Sequence, residues 1–511
     1  RGVSAVAELS QQGRLLQLLD GGPIAKDEGV ATRLVGAEGL SRPFRFTVDL
    51  LAKKAQIPPA DVLGRKLGLL LFGHEQSPGA HTVRLVHGHV GRWTELGGVG
   101  AGAARLTHYQ AELVPWLALL SLSAKTRTYE AQSVDDIVSD VFDDAGFKNR
   151  YRFRLTRTPL PKRAYVVQYA ESDLAFVTRL LAEEGLYYRF DHHSDEHFLE
   201  ISDKHGNGVP PGVVDAMKFA PVEHKAPVER VPIIGVLAGL LGTKTARGGA
   251  DKGLGEAAGL GGAAVGSLLG PLGIAGVAAS GATAGISALG GLLLDYLFTP
   301  TAIVPGNAVT ELRRDRAVHT ETASVRDFHL LRPAQTGTAA SGGPGARGEY
   351  SAFLGDLAGT PEAGVSEAEA GRRMREIEAG RDVLHGATTN VALQPGTRVK
   401  LTGGVLGKAT VEVHVLEVGT AGQSPDPHSA DASKVVRYVN EFTAIPVATP
   451  FVPPPPAARP SVRGTQTAEV VGARGADAGG HGEHERVMRG HTWDSYTHAT
   501  LTTSNRVYVA V

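Results

Sequence analysis

The sequence predicts a mainly β protein with interposed helices, an α+β chain in two β-dominated halves. Three observations predict it. Residues 1 to 130 alternate apolar and polar positions between turn signals, residues 165–203 read as a helix followed by a hairpin, and strand patterns return from Ser324 onward. At 511 residues the chain exceeds what one hydrophobic core supports, so roughly two to four domains are expected.

The first stretch alternates at Phe44, Phe46, Val48 and Leu50, then at Val83 and Leu85 and at Val86, Gly88 and Val90. Pro58-Pro59 and Gly97-Gly98 mark loops, and a barrel fits the spacing. Ser133 and Asp136 stand at capping-box spacing before Val134, Ile137, Val138, Val141 and Phe142, which predicts a helix over 133–146. Ser172 can cap a second helix whose Leu174, Val177, Leu180 and Leu181 share a face, and Gly185 supplies the left-handed stop. A hairpin follows, with Leu186, Tyr188 and Phe190 going out, a polar loop from His192 to Glu196, and Phe198 to Ile201 returning. Later, Ser324 to Phe328 resumes strand character, Ser366 and Glu369 open a polar helix carrying Met374 and Ile377, and strands return at Arg398–Leu401 and Val411–Val418.

Two segments break this pattern. Pro446, Pro450, Pro453 to Pro456 and Pro460 favour extended polyproline geometry and form a semi-rigid linker. Between Val231 and His319 lies a Gly/Ala-rich hydrophobic insert; Ala257 to Leu294 carries no charge, and Gly266/Gly270 and Gly281/Gly285 fall at G-x-x-x-G spacing. That length reaches across a bilayer, so membrane contact by residues 257–294 is one reading. Helical packing against itself, a chaperone or neighbouring chains is the other, and the many small residues favour it.

The chemistry-bearing residues support structural readings. Net charge is −1, which gives no reason to expect a nucleic acid as partner. The absence of cysteine excludes disulfides and thiolate metal sites and suits assembly in a reducing cytoplasm, and no secretory signal is read at the N-terminus of a chain that starts at Arg1. His87 and His89 would share a strand face, and His481, His484 and His491 cluster near Glu483 and Glu485, yet both sets fit a strand pattern or polar loop better than a metal site. His192, His193 and His197 border a hairpin loop, where solvated side chains are expected. Asp135/Asp136, Asp143/Asp144 and Glu183/Glu184 are adjacent on predicted helices and diverge, as solvated faces or helix-end charges do. Glu171, Ser172 and Asp173 read as helix-start residues. Gly342-Gly343-Pro344-Gly345 lacks the residues of a phosphate loop, and no nucleophile elbow is present. No catalytic, cofactor-binding or metal-ligating residue is therefore expected, and the chain is read as no enzyme.

Residues 165–203 resemble the signature of VgrG proteins, the trimeric spikes of type VI secretion systems related to phage baseplate hubs and central spikes. Further fragments of that pattern occur in order: Leu34, Gly36, Glu38, Leu40, Ser41, Pro43, Phe44 and Phe46; His87 to Val90; Tyr109 with Leu113 and Pro115 to Leu117; Asn440-Glu441-Phe442 with Ile445-Pro446; and Gly464-x-Gln466-Thr467-Ala468 with Val470 to Gly472. The resemblance implies two β-barrel hub domains and the start of an OB-fold. Residues 1–164 would be the first barrel, 165–231 and 320–445 two parts of the second, 232–319 the insert, 446–460 the linker and 461–511 a partial or atypical OB-fold. In that last part Glu485-Arg486-Val487 stands where the family shows a longer motif before Trp493-Asp494, and no β-helix repeat is read. The resemblance also implies a homotrimer that caps the Hcp tube hexamer, contacts baseplate proteins, and carries an effector and a PAAR-type tip or chaperone. Such a protein is cytoplasmic before firing and then secreted through the apparatus. The alternative is a specialised spike whose insert is a membrane-active or chaperone-bound effector element.

Overall fold

Along the strand from Arg42 to Ala52, Phe44, Phe46, Val48 and Leu50 are buried while Arg45 and Thr47 are half-buried, so one face points inward. The computed structural model describes residues 9–73 (without 12, 13, 21, 26 and 27), 83–99, 105–203, 216–220, 308–329, 332–340, 346–353, 365–424, 437–453, 465–470, 488–489 and 506–510. Six antiparallel strands, β1 (Leu16–Leu18), β2 (Gly29–Gly39), β3 (Arg42–Ala52), β4 (Lys66–Phe72), β5 (Val83–Val99) and β6 (Leu106–Val114), pair in the order β1-β4-β5-β6-β3-β2. The end strands are tied by a side chain: Gln11 accepts from the Leu18 amide at 3.2 Å and donates to the carbonyl of Gly29. A glycine is needed at position 36, where a Cβ would lie 2.3 Å from the Phe46 ring.

Next come β7 (Ala124–Ser133), β8 (Tyr151–Arg154), β9 (Lys162–Ser172), β10 (Tyr187–His192) and β11 (His197–Ser202). The helix Val134–Asp144 starts at Ser133, whose hydroxyl accepts from the Asp136 amide and donates to its carboxylate at 2.7 Å. The helix Asp173–Glu184 starts at Ser172, whose hydroxyl accepts from the Ala175 amide at 3.1 Å, and stops at Gly185 with φ 75°. β10 and β11 form the expected hairpin, Tyr188 opposite Ile201 and His192 opposite His197, and β8 joins it in parallel. Phe44, Tyr109, Phe142, Phe176, Leu180 and Tyr188 belong to one buried cluster. By core membership the 165–203 unit therefore goes with the first barrel, where the sequence placed it in the second hub domain: the apolar face of its helix closes over the first barrel's core.

The second half contains β12 (Ala216–Phe219), β13 (Ala308–Arg316), β14 (Thr322–His329), β15 (Arg332–Ala340), β16 (Glu349–Phe353), β17 (Asp382–Thr388), β18 (Arg398–Thr402), β19 (Thr410–Gln423) and β20 (Arg437–Pro446). The order β19-β18-β12-β13-β17-β20 returns to β19 through a β19–β20 ladder, so this barrel closes. Met217, Val309, Leu384, Leu401, Val415 and Phe442 fill it, as side chains fill any barrel of so few strands. β13 lies inside the range assigned to the insert, 232–319. Its Val309 and Leu312 pack in the barrel core, so the insert ends before it. β15-β14-β16 form a separate small sheet against which the helix Val365–Ala379 packs. β21 (Thr465–Val470), β22 (Met488–Arg489) and β23 (Arg506–Ala510) pair antiparallel in the order β22-β21-β23, in the region read as the start of an OB-fold. Residues 257–294, His481, His484, His491, Glu485 to Val487 and Trp493-Asp494 lie outside the described residues.

Candidate functional site: the polar junction between the barrels

β2 and β19 pair antiparallel from Gly39 opposite Glu417 to Arg33 opposite Gln423, making one twelve-stranded sheet that runs through both barrels. Main-chain hydrogen bonds thus couple the two halves. Polar side chains reinforce them from inside. Arg84 on β5 is 1% exposed and pairs with the buried Glu38 on β2, while its other guanidinium nitrogen donates to the carbonyl of Leu393 at 3.2 Å, in the loop that leads into β18. On the second-barrel side Asn440 collects the network: its Oδ1 accepts from Tyr438 at 2.8 Å and Thr420 at 2.7 Å, and its Nδ2 donates to the Asn390 carbonyl at 2.8 Å.

Electrostatics follow from this packing. Burial pushes the Glu38 carboxyl up, but Arg84 and His192 outweigh it and hold it below the usual carboxylate range. Burial lowers the Arg84 guanidinium, and Glu38 more than restores it. An ion pair this deep has no role in initial binding from solvent; both its charges stand on strands of the first barrel, and Arg84 reaches the second half through its bond to the Leu393 carbonyl.

A second polar cluster lies beside the first. His197 is 2% exposed, the His192 side chain is 1% exposed and His87 is 2% exposed. The expectation of solvated histidines at the hairpin loop therefore fails for His192 and His197, because the β10–β11 register turns both against β5; His193 is exposed. Among the described residues no group of three or more His, Asp or Glu has the arrangement to hold a metal ion.

The other sequence candidates are structural supports. Asp173 is 1% exposed and accepts from Arg127 at 2.7 Å, Gln168 at 2.8 Å and Ser123 at 2.7 Å, with Lys125 3.2 Å away. No histidine is among these partners. Glu171 pairs with Arg179, and Glu183 and Glu184 each pair with Arg163. They clamp the helix Asp173–Glu184 to β9 and are not a solvated face. The sequence reading missed Arg84, Asn390 and Phe176. Arg84 carried a usable signal, since it stands in phase with Val86 and Val90 on an alternating strand.

Residues 37–231 match the family model of the phage tail baseplate hub (GPD). Its sequence relatives are spike proteins of the type VI secretion system, which upholds the resemblance to VgrG read from the sequence. Similarity to spike protein VgrG1b of Pseudomonas aeruginosa is 33% identity over 214 residues, 42% of this chain and 27% of that protein. To VgrG1a of the same organism it is 34% over 199 residues, 39% of this chain and 29% of that protein. The aligned part thus spans less than a third of those relatives' length. Among solved structures, an E. coli component of the type VI secretion system is similar over 86% of this chain and 80% of its own, at 19% identity and TM-score 0.49.

Proposed function

We propose that this chain is a non-enzymatic hub and spike-base subunit of a type VI-like contractile injection apparatus. It acts as a homotrimer that caps the hexameric Hcp tube, contacts baseplate proteins and carries effectors, with a PAAR-type tip or chaperone as further partner. The observation that carries the reading is the pair of six-stranded units in one chain, fused edge to edge through β2 and β19. Two similar barrels per chain turn threefold symmetry into near-sixfold symmetry, which is what a hexameric tube requires of its cap, and a closed ring leaves no free patch to propagate filaments. The continuous ladder and the buried Arg84–Glu38 pair suit a part that must transmit thrust without hinging.

Within this reading residues 446–460 are a spacer leading to an OB-like region at 461–511, residues from 232 up to β13 are an accessory insert, and no side chain has a catalytic, cofactor or metal role. The protein is cytoplasmic before firing and leaves through the apparatus. Light scattering tests the proposal directly: a particle of three times the 53.5 kDa chain mass that binds Hcp hexamers is expected, and a monomer that ignores them overturns it.

A further inference from the structure

Two of the buried histidines, His87 and His197, are hydrogen-bonded in a way that only neutral rings permit. His197 Nε2 accepts from the Trp116 amide at 2.9 Å, so its proton sits on Nδ1. That Nδ1 is 3.2 Å from His87 Nδ1, which must accept, leaving the His87 proton on Nε2. His192 Nδ1 lies 3.1 Å from both the amide and the carbonyl of His87, so it can accept from the one or donate to the other, and its Nε2 is 3.8 Å from Glu38. Protonating His197 would set N–H against the Trp116 N–H, and protonating His87 would set it against the His197 N–H. Neither ring can take a proton without losing a bond to its neighbour.

We propose that His87 and His197, against which His192 packs, form an acid-sensitive latch, which holds the tip of the β10–β11 hairpin on β5 while the two rings are neutral and releases it in mildly acidic solution. The surroundings oppose charging from every side. Lys66 on β4 and His89 on β5 add positive charge nearby. Of the acids, Glu38 is already committed to Arg84, and Asp195 at the loop offers partial relief. Burial first, then His192 and Lys66, lower the His87 imidazole to about 4, and burial with the same neighbours takes His197 well below its ordinary value. A histidine lowered on folding stabilises the folded form fully above its unfolded value and loses that contribution as pH falls toward the folded one, here between about 6.5 and 4. The released tip would uncover Phe44 and Phe190, which pack edge to face with 5.1 Å between centroids beside His197. A hub carrying this latch loosens when it meets an acidic compartment, whatever apparatus delivers it.

Hydrogen exchange read by mass spectrometry on the intact protein at pH 7.5 and 5.0, corrected for intrinsic rates, tests this. Peptides covering 187–202 and 83–93 are expected to open about thirtyfold more often at pH 5.0 for the His87 proton alone, with β18 and β19 little changed. The double variant His87→Asn/His197→Gln keeps both acceptors without titrating and should flatten the response. Equal protection of the wild-type protein at the two pH values overturns the latch, as does a variant that responds like wild type. Should the double variant not fold, the exposed Lys66→Glu decides: its carboxylate favours the protonated rings within the folded hub, so the opening transition should move to lower pH, and an unmoved transition overturns the assignment.

Discussion

Arg84→Met removes one half of the buried ion pair at the barrel junction while keeping most of the apolar stem, so the loss isolates the charge. Glu38, 7% exposed, then stays in the protein with His192 at 3.8 Å as its nearest remaining cationic candidate. Breaking a buried pair in this way costs about 3–5 kcal/mol, and the lost guanidinium bond to the Leu393 carbonyl falls within that figure. For a cooperative unit of roughly 200 residues each kcal/mol shifts Tm by about 2–4 °C, so a drop on the order of 6–20 °C is expected by scanning calorimetry. Glu38→Gln/Arg84→Met should recover about half of it, because a neutral amide does not need the cation. The sign of the pH response is a second check. In the wild type Glu38 is held low, so its contribution is present above the ordinary carboxylate range and is lost as pH falls through the folded value. In Arg84→Met burial is left to raise the carboxyl, and the deficit should shrink toward acid. A single variant within 1 kcal/mol of wild type, or a double variant no more stable than the single, refutes the claim that this pair holds the junction.

Leu180, fully buried in the core shared by the helix and the first barrel, should not tolerate Asp: an unpaired carboxylate there costs several kcal/mol, and soluble protein of unchanged Tm would show the face is not core. Gly36→Ala puts a methyl 2.3 Å from the Phe46 ring and 2.4 Å from the Arg45 carbonyl, so a loss of about 1–3 kcal/mol in urea unfolding is expected, and a neutral result would mean that β2 and β3 separate easily. Deleting Lys252 to Asp295, between β12 and β13, should leave the second barrel closed, since loop-closure entropy changes slowly with length. The deletion should abolish either lipid flotation or chaperone binding, and insoluble chains would place the segment in the core.

What was legible in the sequence was local. Ser133, Ser172 and Gly185 begin and end helices through bonds to residues three or four positions away, and the Leu186 to Phe190 alternation meets its partner strand within the same short hairpin. What escaped was carried by contacts between distant positions. β12 and β13 pair side by side although the insert separates them, and nothing in the spacing announces a strand at Ala308. The histidines show the same limit: a polar loop tip is solvated by default, and only the long-range approach of His87, over a hundred residues earlier, buries His192 and His197.

One long-range feature was nonetheless written in the pattern. Glu38 stands in phase with Leu34 and Gly36 on β2, and Arg84 in phase with Val86 and Val90 on β5; all of these are buried. A charge at an inward position of an alternating strand is too costly to keep unless it is paired. Two such charges of opposite sign, on strands of one barrel, therefore imply each other before any coordinates exist. The same reasoning applies to Asn440, fully buried between Val439 and the half-buried Glu441: an inward amide on a barrel strand must be satisfied from neighbouring elements, and Asn390, Thr420 and Tyr438 do so. The fragments Glu38 and Asn440 thus mark, from opposite barrels, the place where the two halves of the chain are joined.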